Sequence, residues 1–465
     1  MKRMIASVLS LAMLGNALAL TGCGDRTDSS SVTGSSATAA TAASGKKTLN
    51  IVGSVRTYPG QEEAWNDLIA AYEAKYPDVD VTVRWQGTFD EIPTNMTASM
   101  LAKEDVDIYT AGAGIINSTL ASSGALLDIT ELMAPYLDRF NDGMLSAYYI
   151  GDKLWGFPYG DASESCIYYN KTMFDELNLS VPTTYEELTS VCNTIATEKG
   201  ITPMIHQGKV SAFWPMWFME TYAQTSGNKA VVNVNDFLSG SLKFGGDDAV
   251  VAAFDDIKKF WDDGILSTAS LDTDGDGMRA SFAAGKSALL LGGTWEYSAL
   301  RAACSDDIAI GCFEFPSLDG ITTPQHGGGP ADAIVIPSWV DRDNLDTIAS
   351  FIDFMTAAEN VNTVISTFDP IVEVYKGETV QETELSEALN GTLRDNTIAF
   401  LDWIWPASVN DAFCQAIPAV IDGAMTSQEA SELVQKALDN LIEEQGYSYD
   451  WYNNWTNAQW AAVTP

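Results

Sequence analysis

Apolar positions near the start of the folded region recur with two different periods, which predicts alternating strands and helices. Thr48–Gly53 forms an apolar run typical of a buried strand, and the apolar side chains of Gln61–Tyr76 fall on one helical face. Apolar and polar residues alternate along Val79–Trp85, which predicts a second strand. The pattern of Phe89–Lys103 predicts a second helix, and that of Val106–Tyr109 predicts a third strand. This order favours a parallel sheet with helices packed on its faces.

A later segment, Phe282–Trp295, has the sequence FAAGKSALLLGGTW and predicts a buried strand that turns into a helix. Two glycines follow the apolar run Ala288–Leu291 and permit a tight turn, and Thr294 is the predicted cap of the next helix. Ligands of open α/β sheets collect at the carboxyl ends of the strands, so Trp295 and Glu296 are predicted ligand contacts. The alternative is a core tryptophan that covers the sheet edge.

Polar and aromatic residues also follow the first three predicted strands. Arg56 comes after the first strand, Trp85 ends the second, and Gly112 lies just beyond the third. The ends of parallel strands meet at one edge of a sheet, so these residues are expected to converge there. The glycines in these loops lack the GxGxxG spacing of a dinucleotide site, and no lysine placed to hold a phosphate follows them.

The amino terminus has the pattern of an export signal. A basic start, Met1–Arg3, precedes the uncharged apolar stretch Met4–Leu20, and small residues lead up to Cys23. This ending resembles the lipobox of bacterial lipoproteins, which implies cleavage after residue 22 and a lipid on the sulfur of Cys23. Residues 23–47 are rich in Ser, Thr, Ala and Gly and are predicted to be a flexible tether. The folded region is therefore expected outside the cell, held at the membrane.

Length and charge narrow the classes of function. About 420 residues follow the tether and the composition is 46% hydrophobic, which is enough for two large cores. The net charge is −38, and it becomes −40 when Lys2 and Arg3 leave with the signal. Such a field repels phosphate backbones and anionic headgroups, so neither nucleic acid nor a flat membrane surface is an expected partner.

Cysteine and histidine give little indication of catalysis or of a metal site. Five cysteines follow Cys23 without CxxC spacing, so no zinc site is predicted. Cys304 and Cys312 are close in the sequence, and the pattern does not decide whether they form a disulfide. His206 and His326 are the two histidines, and neither lies in a recognisable nucleophile motif. No catalytic residue and no cofactor is therefore predicted.

An acidic loop resembles the beginning of a calcium site. Asp272, Asp274 and Asp276 alternate and a glycine follows, as in calcium-binding loops. Position twelve, where a bidentate glutamate belongs, is Ala283. The loop is therefore a weak candidate, and a solvated acidic turn is the favoured interpretation.

An aromatic cluster lies in the middle of the chain. Trp214 and Trp217 are three residues apart in the segment Phe213–Phe218. They are predicted either to pack a helix into a core or to offer flat rings to a ligand, and the spacing does not decide between the two.

Several segments together carry a resemblance to a known family. Gly151–Tyr159 has the sequence GDKLWGFPY, Ile167–Lys171 has IYYNK, and Val181–Leu188 has VPTTYEEL, in which Thr184 and Glu187 form a predicted capping box. Further similar segments are Gly124–Thr130, Phe282–Ala288 with Gly293–Trp295, and Phe315–Pro316. In their order and number these segments are similar to extracellular solute-binding protein family 1, the sugar-binding lipoproteins of ABC importers related to maltose-binding protein.

The resemblance implies a fold of two α/β lobes, each a mostly parallel sheet flanked by helices, joined by three crossings that form a hinge. The crossings are expected near residues 162–165, 329–333 and 367–370. Lobe 1 is then residues 48–163 plus 333–367, and lobe 2 is residues 164–332 plus 368–465. The resemblance also implies a carbohydrate ligand, an ABC permease as partner, and a monomer.

A sugar presents an apolar face of C–H groups and an edge of hydroxyls, so its site needs flat aromatic rings and polar groups. The rings are expected from Trp295, from Trp403 or Trp405, and from one of Trp214 and Trp217. The hydrogen bonds are expected from Arg56, Asp161, Glu164, Glu296 and Asp332.

Other classes of function stay open at this point. Paired carboxylates among aromatic residues also describe a secreted glycoside hydrolase, although no local motif fixes the separation of two acids. A binding protein for a peptide or a polyamine is a further alternative. The carboxyl-terminal tail holds Tyr and Trp residues between 447 and 460, and it is expected either to pack on a lobe or to extend the cleft.

Overall fold

The computed structural model describes residues 46–53, 61–86, 98–112, 120–121, 124–141, 144–150, 152–159, 162–318, 320, 324–330, 332–364, 373–380, 382–389 and 397–445. The signal peptide, nearly all of the tether with Cys23, and the aromatic tail lie outside the described residues, as do Arg56 and Asp161. No helix within these described ranges has the length and apolar character needed to cross a bilayer.

Thirteen strands occur in the described parts of the chain. In chain order they are β1 Lys47–Gly53, β2 Val79–Trp85, β3 Ile108–Gly112, β4 Tyr149–Ile150, β5 Lys153–Leu154, β6 Phe157–Pro158, β7 Ala162–Asn170, β8 Met204–Ile205, β9 Leu289–Gly293, β10 Ile310–Phe313, β11 His326–Pro330, β12 Asp332–Val335 and β13 Thr397–Ala399.

The α-helices, also in chain order, are Gln61–Lys75, Thr130–Met133, Lys171–Leu177, Tyr185–Lys199, Trp214–Thr225, Ala230–Ser239, Asp248–Asp262, Gly275–Ala283, Tyr297–Ala303, Leu345–Met355, Ala358–Val364, Ser386–Leu389, Ala407–Ile421 and Ser427–Gln445. Sequence-encoded caps begin several of them. Thr184 and Glu187 form the predicted capping box, and Asn170 caps the helix that follows β7.

The first lobe is built on a five-stranded sheet in the order β2-β1-β3-β12-β6. β1 lies parallel to both β2 and β3, whereas β12 runs antiparallel to β3. The parallel part confirms the strand and helix order predicted from periodicity. β3 begins two residues later than predicted and continues to Gly112, and in the region predicted as the second helix the described helical residues are 98–102.

The second lobe is built on a six-stranded sheet in the order β13-β11-β7-β9-β8, with β10 paired to the other part of β7. Alternate residues of its strands face two different cores. Ile167 of β7 and Leu289 of β9 face the larger core, which the helices from Tyr185 onward cover, while Tyr168 and Leu290 face a smaller core around Phe282.

The described strands show two crossings between the two sheets. β6 belongs to the first sheet and β7 to the second, so the first crossing lies between Pro158 and Ala162, just before the predicted segment. The second crossing lies between Pro330 and Asp332, because β11 belongs to the second sheet and β12 to the first.

The later boundary of the first lobe differs from the prediction. Residues 367–370 lie outside the described residues, but Val374 and Tyr375 pack in the core of the first lobe rather than the second. The Tyr375 ring lies 4.9 Å from that of Phe140, and its hydroxyl donates to the Pro158 carbonyl at 2.7 Å. Leu385 packs in the second lobe, so the assignment of residues 368–465 to lobe 2 is wrong for the segment around Tyr375.

Candidate functional site

The end of β9 places Trp295 against the backbone of the strand. β9 runs through both glycines to Gly293, and a 3-10 turn, Thr294–Glu296, follows it. A Cβ atom at Gly293 would lie 2.1 Å from the Trp295 ring, which is far inside any contact distance. Glycine at this position therefore provides the space in which the ring lies.

Thr294 does not cap the following helix as predicted. The helix Tyr297–Ala303 has no side-chain cap, and the Thr294 hydroxyl instead accepts a hydrogen bond from the Glu164 amide at 3.2 Å. The same hydroxyl donates to the Ala162 carbonyl at 3.4 Å. This threonine therefore links the turn that carries Trp295 to the strand that enters the second lobe.

Trp295 belongs to a continuous row of aromatic rings, here called the aromatic wall, made of Phe213, Trp295, Phe400 and Trp403. Trp295 stacks on Phe213 at 6.3 Å with 22° between the rings, and it meets Phe400 edge-on at 5.9 Å. Phe400 contacts Trp403 at 4.8 Å. Phe213, Trp295 and Trp403 are half-buried, whereas Phe400 is buried behind them.

The aromatic wall lies at the boundary between the lobes. Trp403 packs against the large core of the second lobe and also against the core of the first. Its ring is 3.8 Å from the position that a Cβ atom would take at Gly329, on the strand that leads into the second crossing. The predicted ligand contacts Trp295 and Trp403 are therefore linked through Phe400, and the wall reaches the interlobe boundary at Trp403.

On the first lobe, the ends of the parallel strands carry Trp85 and Gly112. The Trp85 ring covers Gly53 at the end of β1, where a Cβ atom would lie 2.5 Å from it, and it meets Trp65 edge-on at 6.1 Å. Gly112 is paired directly with Asp332 of β12. Strand ends and a crossing strand thus meet at this edge.

Two predicted hydrogen-bonding residues, Glu164 and Asp332, lie on the crossing strands. Their exposed fractions are 3% and 9%, so little of either side chain reaches solvent in this arrangement. The backbone carbonyl of Asp332 accepts a hydrogen bond from the Tyr148 hydroxyl at 2.6 Å, which fixes the strand at the crossing.

Glu296 supports the turn instead of pointing into open space. Its side chain accepts hydrogen bonds from Arg279 at 2.7 Å and from the Gln207 amide at 3.1 Å. Arg279 also pairs with Asp276 at 2.8 Å. Both carboxylate oxygens of Glu296 are therefore engaged by protein groups, and a hydrogen bond between Glu296 and a ligand stays a prediction.

Trp214, Trp217 and Trp405 do not belong to the aromatic wall. All three have at most 1% of their surface exposed and pack in the large core of the second lobe. Trp405, for example, stacks on Phe413 at 4.7 Å, and the Trp214 indole N–H donates to the Gly208 carbonyl at 3.0 Å. Other side chains cover their ring faces, so the prediction of a ligand surface at these positions does not fit the structure.

In the acidic loop that resembles the beginning of a calcium site, two of the carboxylates contact other protein groups. Asp274 caps the helix Gly275–Ala283 and Asp276 pairs with Arg279. In the part of the chain that the structure describes, no group of three or more acidic, His or Cys side chains is arranged to hold a metal ion. Cys304 and Cys312 are free thiols.

Four residues of this region were not predicted from sequence. Phe213 and Phe400 complete the aromatic wall, and Gln207 and Arg279 hold Glu296. Phe213, Trp295 and Phe400 are far apart in the chain, so no local spacing could have connected them. Phe213 directly precedes Trp214 and Phe400 lies near Trp403, and this closeness to predicted tryptophans is the one signal that the sequence carried.

Comparisons with known proteins agree with this architecture. A family model described as bacterial extracellular solute-binding protein matches residues 58–362. A maltooligosaccharide ABC transporter solute-binding lipoprotein of Streptococcus pneumoniae is 26% identical over 362 residues, covering 69% of this chain and 79% of that protein. An uncharacterized ABC transporter extracellular-binding protein of Pyrococcus horikoshii is 21% identical, and the match spans only 39% of that relative's length.

Solved structures share the fold. A chitin oligosaccharide binding protein has a TM-score of 0.74 at 21% identity, covering 85% of this chain and 99% of the other. A solute-binding protein in complex with raffinose has a TM-score of 0.69 at 18% identity, with coverage of 85% and 99%. A family 1 extracellular solute-binding protein from Bifidobacterium longum subsp. infantis has a TM-score of 0.68 at 17% identity, with coverage of 86% and 100%.

Proposed function

Because the chain belongs to the bacterial extracellular solute-binding protein family, we propose that it captures a carbohydrate between its two lobes for import by an ABC transporter. The observation that carries this proposal is the aromatic wall at the interlobe boundary. Half-buried aromatic faces at the carboxyl ends of strands suit the apolar C–H face of a sugar ring.

The ligand class that fits best is an oligosaccharide. A row of rings offers stacking positions for more than one sugar unit, and proteins similar to this chain are described as binding maltooligosaccharide, chitin oligosaccharide or raffinose. Trp295 and Trp403 supply the stacking faces, Trp85 and Gly112 supply the edge of the first lobe, and Glu164 and Asp332 supply polar groups on the crossing strands. Arg56 and Asp161 remain candidates for hydrogen bonds to the sugar.

Capture works by closure of the lobes about the crossing strands, without chemical conversion of the sugar. The crossings at Pro158–Ala162 and Pro330–Asp332 are short backbone segments, so the lobes can rotate while both sheets stay intact. Glu296, a carboxylate next to the wall, is held in an ion pair with Arg279, which favours a supporting role over acid–base chemistry. A lipid on Cys23 keeps the monomeric receptor beside its permease.

A thermal-shift screen of residues 47–465 tests the proposal against maltotetraose, chitotetraose, raffinose, a peptide mixture and spermidine. A ligand present at a hundredfold excess over its Kd stabilises the native state by about 2.7 kcal/mol, so a binding sugar raises the Tm. Chromatography of the same samples should recover the sugar intact. Cleaved sugar would make the protein a glycoside hydrolase, and a shift with the peptide or spermidine alone would overturn the carbohydrate class.

A further inference from the structure

A buried carboxyl group lies directly behind the aromatic wall. Glu220, in the helix Trp214–Thr225, has 0% of its surface exposed. Its Oε1 accepts hydrogen bonds from the Ser165 hydroxyl and, at 3.1 Å, from the Gly327 amide. Ser165 belongs to β7 and Gly327 to β11, the two strands of the second lobe that lead into the crossings. One carboxyl group therefore ties both crossing strands to one helix.

The two residues that donate hydrogen bonds to Glu220 are connected to the backbone on which two rings of the aromatic wall lie. Ser165 is paired across the sheet with Gly293, against which the Trp295 ring lies. A Cβ atom at Gly327 would lie 2.3 Å from the Phe400 ring, so Phe400 lies directly on this glycine. Any shift of the strands at Glu220 therefore moves the backbone on which both rings rest.

The surroundings of Glu220 determine the pKa of its carboxyl group. Burial, together with the nearby negative charge of Glu314, raises its pKa to about 7, although the hydrogen bonds from Ser165 and Gly327 act to lower it. Its Oε2 is buried without a hydrogen-bond partner among the described residues. The other elements packed against this helix carry these titratable side chains: Asp236, Asp248, Asp255, Asp256, Lys258, Lys259, Asp262, His326, Asp402, Asp411 and Cys414.

We propose that Glu220 is a positioning residue for the carbohydrate site, and that the protonation state of its carboxyl group determines how firmly the aromatic wall is held for a sugar. This inference rests on the proposed function and adds a pH-dependent control of the same site.

The packing around Glu220 determines whether its protonation strengthens or weakens sugar binding. An ionised carboxylate with one buried oxygen unpaired is costly, so the arrangement seen here suits the neutral acid. Ionisation favours a shift of the neighbouring strands towards groups that can solvate the charge. A sugar that stacks on the wall favours the packed arrangement, and proton and sugar therefore strengthen each other's binding by thermodynamic linkage.

The first test needs no sugar. Tryptophan emission of residues 47–465, followed from pH 5.5 to 8.5, should show a transition near pH 7 as the wall rearranges. Glu220→Gln keeps the shape of the neutral acid and should abolish the transition. Ser165→Ala removes a donor that lowers the pKa of Glu220 and should move the midpoint to higher pH.

A matched control is available in the first lobe. Burial also raises the pKa of Glu378 to about 7, but its carboxylate accepts from the Val374 and Tyr375 amides, away from the wall. Glu378→Gln should therefore keep the wall transition. Loss of the transition in Glu378→Gln, or its persistence in a folded Glu220→Gln protein, would overturn the assignment to Glu220.

The second test measures the Kd of maltotetraose, or of the panel sugar with the largest thermal shift, by calorimetry at pH 6 and pH 8. The wild-type protein should bind about fivefold or more weakly at pH 8, and Glu220→Gln should bind equally at both. Equal wild-type affinities would contradict the inference while leaving carbohydrate capture intact. If no panel sugar binds, carbohydrate capture fails, and the emission test still decides whether Glu220 controls the wall.

Discussion

At the scale of single residues, small side chains determine where the large ones lie. Gly293, Gly327 and Gly53 each lie under an aromatic ring that a Cβ atom would collide with. A ring seated on a glycine is fixed on one face by the backbone and leaves the other face for a different contact. The position of the wall is therefore encoded as much by its glycines as by its aromatic residues.

Removing the Trp295 ring should weaken sugar binding with little effect on folding. Trp295 is half-buried and stacks on Phe213, so Trp295→Ala should cost about 1–3 kcal/mol of binding free energy if a sugar ring lies on it. Calorimetric titration with the panel sugar measures this.

Trp339 provides the control for that variant. It is also half-buried, and its indole N–H donates to the Glu104 carbonyl at 3.1 Å, beyond the amino end of β3 and so opposite the site. Trp339→Ala should keep the affinity of the wild-type protein. Equal affinities for wild type and a folded Trp295→Ala variant would remove Trp295 from the binding surface.

His206 should make the protein less stable in mild acid. Its ring lies edge-on to Trp214 at 4.7 Å and to Trp217 at 5.5 Å, and neither nitrogen has a partner among the described residues. Burial lowers its pKa from 6.5 to about 3. Below pH 6.5 the unfolded chain therefore binds a proton that the native state does not, and stability falls as the pH drops.

The expected slope is about 1.4 kcal/mol per pH unit, present between the two pKa values and absent above pH 6.5. Urea unfolding of wild type and His206→Leu between pH 4 and 8 measures it. The leucine variant should lose this part of the pH dependence, and an unchanged slope would show that His206 is protonated in the native state.

At the scale of elements, an ion pair connects two segments behind the wall. Arg279, from the helix Gly275–Ala283, reaches Glu296 in the turn after β9. Arg279→Gln should destabilise the second lobe by about 3 kcal/mol, because it leaves a buried carboxylate without its cation, and it should also weaken sugar binding by loosening Trp295.

Asp276 is the matched control, since it pairs with the same arginine but is 95% exposed. Asp276→Asn should change neither unfolding nor affinity measurably, because exposed ion pairs contribute little. Equal destabilisation in both variants, measured by urea unfolding and calorimetry, would mean that Arg279 acts through its exposed partner.

Sequence patterns predicted the strands and helices of the first lobe better than the positions of the aromatic side chains. Periodicity predicted the parallel strand order of the first lobe, because alternation and helical repeats follow from backbone geometry. It could not separate Trp214 and Trp217 from Trp295, because nearly every residue of the helix Trp214–Thr225 is buried and no polar face marks its orientation. The aromatic wall escaped prediction as a unit, because its rings come from three distant segments that only tertiary packing brings together.

At the scale of the whole molecule, function depends on how the two lobes move about their crossings. Trp403 packs against both cores, so any change in lobe angle must change its contacts. Gly329, one residue before the end of β11, has a φ of +109°, a conformation that other residues rarely adopt. The hinge therefore contains a backbone position that glycine alone occupies without strain.

Gly329→Ala should weaken sugar binding by altering the hinge and not by filling space. The nearest atom to the new Cβ is 3.8 Å away in Trp403, an ordinary contact, so the cost comes from the backbone and is about 1 kcal/mol or more. Gly200→Ala carries a similar penalty, with φ +65° and open space around it, at the end of the helix Tyr185–Lys199 far along the chain from either crossing. Both variants should lower the free energy of unfolding, but only Gly329→Ala should reduce the affinity for the panel sugar and the sugar-induced decrease in radius of gyration measured by small-angle scattering. Equal effects on affinity would mean that Gly329 matters for folding and not for closure.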